Sequence, residues 1–207
     1  MTRPTPGKIV CVGRNYAAHA KELGNEVPAQ PMLFFKPTSA IIASGETIRL
    51  PRASAKVDYE AEIALVIGRR AKRVVAADAY DFLAGVACAN DVSARDLQKS
   101  DGQWGRAKGF DTFCPLGPTV ASGFSWDSLE VIGRVNGEVR QHGHIRDLIF
   151  SIPALVEFIS GVMTLEAGDV ILTGTPEGVG PLTAGDVVEV EIPGVGVLSN
   201  PVAGEEA

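Results

Sequence analysis

Between Val57 and Ile67 the chain alternates: Val57, Tyr59, Ala61, Ile63, Leu65 and Ile67 make one apolar face, and Asp58, Glu60 and Glu62 share the other. Period two predicts a β-strand, here one with a carboxylate-lined face. Residues 8–13 and 85–90 read as short buried strands, the second delivering Asp91 to a strand end. An apolar stripe at Ile152, Leu155, Val156 and Ile159 predicts an amphipathic helix, capped by Ser151, with Pro153 in its first turn and Gly161 as terminator. Shorter helices are expected through Ala17, Ala18, Ala20 and Leu23 after an Asn15 cap, through Tyr80, Phe82 and Leu83 after Asp78, and after Ser93, carrying Arg95, Asp96 and Gln98.

Pro28, Pro31 and Pro37 break the intervening segment into extended pieces. Asn136-Gly137 supplies the positive φ angles of a type I′ hairpin turn. Gly168-Asp169 and Gly185-Asp186 each read as a turn that launches a strand, and residues 101–113 as an irregular functional loop. Many short strands with few short helices predict a predominantly β architecture, a roll or folded sandwich. Residues 1–207 are expected to form a single domain, in which 1–50 hold the first strand, a helix and an extended leader and 51–207 the β core.

Composition narrows the function. Of the residues 45% are hydrophobic and 21% charged, as in an ordinary globular protein, and no long apolar run is present to cross a membrane. The net charge of −6 makes nucleic acid a poor partner, and the basic cluster Arg69-Arg70-Lys72-Arg73 reads as a solvated turn. Cys11, Cys88 and Cys114 lack the CxxC spacing of a zinc site and are expected as buried thiols. A soluble, cytoplasmic protein with loose ends at 1–7 and 204–207 is the expectation.

Alternate residues of a strand are roughly 6.5–7 Å apart, so Glu60 and Glu62 can lean together over one small hard cation with metal–oxygen distances of about 2.0–2.1 Å. The alternative is an edge strand with a solvated acidic face. A third oxygen ligand would favour the cation, and Asp91 offers one.

Four segments, in order, carry a resemblance: Asp58-Tyr59-Glu60-Ala61-Glu62, Asn90-Asp91-Val92-Ser93-Ala94-Arg95-Asp96, Lys108-Gly109-Phe110-Asp111-Thr112-Phe113-Cys114-Pro115-Leu116-Gly117-Pro118, and Thr173-Gly174-Thr175-Pro176-Glu177-Gly178-Val179-Gly180. Together they resemble the fumarylacetoacetate hydrolase family across nearly the whole chain. Gly13-Arg14-Asn15-Tyr16 and Leu33-Phe34-Phe35-Lys36-Pro37 resemble its smaller members, of the acylpyruvase, oxaloacetate decarboxylase and hydroxymuconate isomerase types.

The resemblance implies a mixed β-sandwich roll, usually a homodimer, with one Mg²⁺ or Mn²⁺ on Glu60, Glu62 and Asp91 and a small 2-oxo acid as substrate. It implies catalytic roles for Lys108 and for the pair His19 and Glu22, the latter on a mobile lid where they activate water or shuttle a proton. Arg14, Tyr16, Lys36, Gln98, Gly174 and Thr175 would touch substrate, and Arg95 and Asp96 would buttress Asp91. His142 and His144 match none of these motifs and are expected to be structural or exposed. Gly109 and residues 141–146 depart from the commoner family pattern, which leaves the substrate open. Hydrolytic C–C cleavage of an acylpyruvate is the first expectation, with hydroxymuconate-type isomerisation and oxaloacetate decarboxylation as alternatives. A non-catalytic β domain holding a structural ion is the rival from another class.

Overall fold

A computed structural model describes residues 6–22, 24 and 27–205. The loose ends expected at 1–5 and 206–207, and the helical Leu23, lie outside the described residues. In chain order come β1 (Ile9–Gly13), α1 (Ala17–Glu22), β2 (Met32–Lys36), β3 (Ile41–Ile42), β4 (Ile48–Leu50), β5 (Val57–Tyr59) and β6 (Ala61–Ile67). After a 3₁₀ segment at Ala76–Phe82 follow β7 (Leu83–Asn90), β8 (Ser93–Ala94), α2 (Arg95–Asp101), α3 (Gly105–Gly109) and β9 (Cys114–Pro115). The C-terminal part contains β10 (Glu130–Val135), β11 (Glu138–His144), α4 (Ile152–Val162), β12 (Val170–Leu172), β13 (Gly180–Pro181), β14 (Val187–Ile192) and β15 (Gly196–Gly204).

Two five-stranded sheets, ordered β2-β1-β12-β6-β7 and β11-β10-β14-β15-β4, face each other over the main core. Ala61, Ile63, Leu65 and Ile67 of β6 point into it, together with Val190 and Ile192 of β14 and the stripe Ile152, Leu155, Val156 and Ile159 of α4. The other face of β6, at Ala64 and Val66, is covered by a second cluster with Cys11, Cys114 and Leu116. Burial on both faces is why nothing after Glu62 in this strand is charged. The predominantly β expectation holds, and the three cysteines are buried and unbridged.

Several local expectations are corrected. The alternating run is not one strand: β5 pairs with β8 and β13, β6 pairs with β7 and β12, and the chain passes between sheets at Glu60. Ser93 lies in β8, and its hydroxyl donates to the Asp91 carbonyl instead of capping α2. Asn15 precedes α1 but does not cap it. Its amide donates to the Thr173 and Phe150 carbonyls and its Oδ1 accepts from Phe150 N–H, so it staples the base of α1 to the core. Residues 101–113 hold a helical turn, α3, not an irregular loop. Helix α4 runs through Gly161, and its Ser151 makes no side-chain cap bond. Gly204 closes β15, in register with Leu50. The Asn136-Gly137 turn forms as expected, with φ of 54° and 81°.

Candidate active site

Glu60, Glu62 and Asp91 are brought together by β-sheet register. Antiparallel pairing sets Ala61 opposite Asn90 and Glu62 opposite Ala89, and one step further the Asp91 N–H donates to the Glu60 carbonyl at 2.9 Å. The Asn90 side chain accepts from the Glu60 N–H at 2.9 Å, which fixes the backbone where it changes sheet. One oxygen from each of the three carboxylates falls within 4.8 Å of the others, and all three residues are buried. A buried set of hard anionic oxygens at that spacing fits a divalent cation that takes oxygen ligands.

The cluster is surrounded by three cations, of which Lys36 and Lys108 are buried. Lys108 Nζ sits 2.7 Å from both Glu60 Oε2 and Asp91 Oδ2. Lys36 Nζ lies 2.6 Å from Asp91 Oδ1 and also donates to the Val92 carbonyl. Arg95 Nε donates to Asp58 Oδ2 at 2.8 Å, and its Nη2 lies 2.6 Å from Glu60 Oε1. Four carboxylates, counting Asp58, thus face three cations. Burial raises the Glu60 carboxyl, but Arg95 and Lys108 outweigh it and hold the group well below the usual range. Glu62 is the opposite case: burial, and then the charges of Asp91 and Glu60, push it well above that range, relieved in part by Lys108 and the Gly174 N–H. Repulsion concentrated on one carboxylate is what a bound cation would relieve.

Above the carboxylates opens a cavity of about 450 Å³, lined also by Arg14, His19, Gln98, Lys99, Lys108 and Thr175. His19 is buried; its Nδ1 lies 3.1 Å from Glu22 Oε2, while Glu22 Oε1 accepts from the Gly178 N–H at 3.0 Å. Helix α1 is in this way latched to the loop that carries Thr175. In that loop Gly174 has φ of +104°, and a Cβ there would come within 2.9 Å of the Asn15 Cβ, so only glycine fits.

Other expected residues sit elsewhere. Tyr16 does not line this cavity; it borders a second one of about 370 Å³ with His142, Asp147 and Glu177. Lys36 is a partner of Asp91, away from the cavity lining. The Gly174 N–H donates to Glu62 Oε2 at 2.7 Å. Arg95 holds Asp58 and Glu60, not Asp91, because the first turn of α2 faces β5. Asp96 is exposed and binds the Ser54 hydroxyl and Ala55 N–H, one step round the same helix. His142 is exposed and paired with Glu130, and His144 caps a 3₁₀ turn.

Four contributors were missed, one of them Lys99 in the cavity lining. Phe34 and Trp104 form an apolar wall of the cavity, and the aromatic Trp104 just before Lys108 was the available signal. Gln141, fully buried on β11, accepts from the Ala61 N–H, between the two glutamates, and donates to Thr175 Oγ1 and to the Pro176 carbonyl at 2.7 Å. It joins β6 to the Thr175 loop, and nothing local in a polar residue of a strand announces this. Gln141→Leu is expected to strand those partners and lower stability by about 2–4 kcal/mol, one to two buried unsatisfied groups. Urea unfolding in the presence of chelator measures this, and an unchanged midpoint would contradict it.

The family model for the fumarylacetoacetate hydrolase C-terminal region matches residues 8–203. The mitochondrial oxaloacetate tautomerase of Arabidopsis thaliana is 49% identical over 194 residues, covering 91% of this chain and 87% of that protein. The mitochondrial oxaloacetate decarboxylase of Dictyostelium discoideum is 41% identical, covering 92% and 91%. A crystal structure of a 5-carboxymethyl-2-hydroxymuconate delta-isomerase from Mycobacterium smegmatis superposes with a TM-score of 0.91 at 50% identity, covering 99% of this chain and 81% of that one.

Proposed function

The chain belongs to the fumarylacetoacetate hydrolase family, and on that premise we propose a Mg²⁺- or Mn²⁺-dependent enzyme that enolises and decarboxylates a short 2-oxo diacid of the oxaloacetate type. The observation that carries this reading is a floor of three buried carboxylates under a cavity whose other charged lining is cationic. Four carboxylates against three cations leave one negative charge. A divalent ion turns that into one positive charge, which an anionic substrate balances, and Arg14 and Lys99 supply cations for a second carboxylate.

Held by Glu60, Glu62 and Asp91, the ion would supply Lewis acidity toward the carboxylate and adjacent carbonyl of a 2-oxo acid. Lys108, 2.7 Å from Glu60 and Asp91, places a second positive charge at the same end of the cavity, where it would stabilise the negative charge that develops as the C3 proton or the C4 carboxylate departs. With Nδ1 engaged by Glu22, His19 keeps Nε2 for the C3 proton, and the Gly178 bond to Glu22 fixes the pair. Docked over the cavity, α1 restricts water.

Parallel assays of oxaloacetate, acetylpyruvate and a hydroxymuconate-type diacid, each with Mg²⁺, Mn²⁺ and chelator, test the reading. Oxaloacetate is expected to be the preferred substrate with turnover lost to chelator; chelator-insensitive turnover, or none on any of them, overturns it. Hydrolysis of an acylpyruvate is the second reading, favoured by the His19–Glu22 pair, which could instead activate water. His19→Ala separates the two. Enolisation through His19 predicts that exchange of substrate C3 hydrogens in deuterated water slows by about 10²-fold, the scale of general acid–base catalysis. Persistent exchange with lost acetylpyruvate cleavage selects hydrolysis.

A further inference from the structure

One wall of the cavity is a series of contacts that rises from the carboxylates. Lys108 Nζ lies 5.0 Å from the centroid of the Phe34 ring. Phe34 meets Trp104 edge-on, with centroids 5.2 Å apart and planes at 70°. Trp104 in turn rests on Gly13 so closely that a Cβ at residue 13 would fall 2.9 Å from its Cζ3 and 3.3 Å from its Cη2. Gly13 is not among the residues with positive φ, so what its missing side chain provides is room for the indole. The wall is also tied to the chemistry below it. The Trp104 carbonyl accepts the Lys108 N–H at 3.0 Å, and Trp104 precedes α3 directly.

We infer that Trp104, seated on Gly13, limits the length of the 2-oxo acid that this cavity accepts, selecting diacids of the oxaloacetate type over chains two or more carbons longer. This rests on the proposed 2-oxo acid reading. The indole is large and has only two side-chain torsions, and contacts on two sides, with Phe34 and Gly13, restrain it against yielding to a longer substrate. A rigid wall of two aromatic rings penalises each extra methylene by steric exclusion. The polar rim at Arg14 and Lys99 therefore receives the second carboxylate only of a short acid.

Two substitutions move the wall in opposite directions. Trp104→Leu replaces the whole indole by a smaller side chain but keeps the backbone bond to Lys108, and Gly13→Ala forces the indole away from β1. Binding of oxalate and of 2-oxoadipate is measured by calorimetry with Mg²⁺ present. Oxalate is too short to meet the wall and reports on the floor alone. In Trp104→Leu, 2-oxoadipate is expected to bind about tenfold more tightly relative to oxalate, within the range that one or two methylenes command in a pocket. Gly13→Ala is expected to shift the ratio the other way. If it does not fold, Trp104→Phe, with its smaller ring, supplies an intermediate step between the parent and leucine. An unchanged ratio in Trp104→Leu, with oxalate still bound, overturns the inference and leaves the 2-oxo acid reading intact. Failure of the parent protein to bind either probe overturns both.

Discussion

Glu62→Gln is expected to lower Mg²⁺-dependent turnover by about 10²-fold or more, since several kcal/mol of charge stabilisation depend on the ion, yet to leave the metal-free protein at least as stable as the parent. Glu62 is the carboxylate that burial and its two acidic neighbours disfavour most, and no cation pairs with it among the described residues. A glutamine keeps the acceptor for the Gly174 N–H and removes the repulsion. Glu60→Gln should lose the same activity but also break the contacts to Arg95 and Lys108, at a cost of about 3–5 kcal/mol, the usual penalty for leaving buried charges unmatched. Thermal melts in chelator, set beside kinetics in Mg²⁺, separate the two variants. Equal destabilisation of both, or a parent-like rate in Glu62→Gln, would sink the assignment.

Lys108→Met should behave as the mirror image. Its ammonium bridges Glu60 and Asp91, and a methionine of similar size leaves those carboxylates without it, so the metal-free protein should lose about 3–5 kcal/mol. Mg²⁺ should restore much of that loss, because an ion that binds only the folded state stabilises it by about 2.7 kcal/mol at a hundred times its dissociation constant. Turnover should still fall at least about tenfold, roughly 1.4 kcal/mol, since the charge beside the substrate oxygen is gone. Melting curves with and without Mg²⁺ and the rate at saturating metal check both parts. A variant as fast as the parent would make Lys108 a purely structural counter-ion.

The two predictions draw on different layers of information. That Glu60 and Glu62 lie close is suggested by their spacing of two, although the strand breaks at Glu60, and that Asp91 follows a strand end is suggested by the apolar run before it. What their neighbours do does not follow from any local pattern. Lys36, Lys99 and Lys108 look alike in the sequence, yet the first buttresses Asp91 from outside the cavity, the second stands at its rim, and the third bridges Glu60 and Asp91. Arg95 and Asp96 are adjacent, and one helical step sends the first to Asp58 and Glu60 and the second out to the Ser54 turn.

Sequence alone determined the predominantly β class, the Asn136-Gly137 hairpin and the apolar stripe of α4, because strand and helix periodicity and turn chemistry act over a few residues; that Asp91 joins Glu60 and Glu62 was what the family resemblance implied. The sequence also carried the motifs by which the family was recognised. Only the tertiary structure decided that the chain changes sheets at Glu60, that Asn15 staples instead of capping, that Gln141 ties Ala61 to Thr175, and that Trp104 rests on Gly13. Each of these joins residues remote in sequence. A buried polar group takes whichever partner the packing of distant strands leaves within reach, and leaving it unpaired costs more than any local preference can offset.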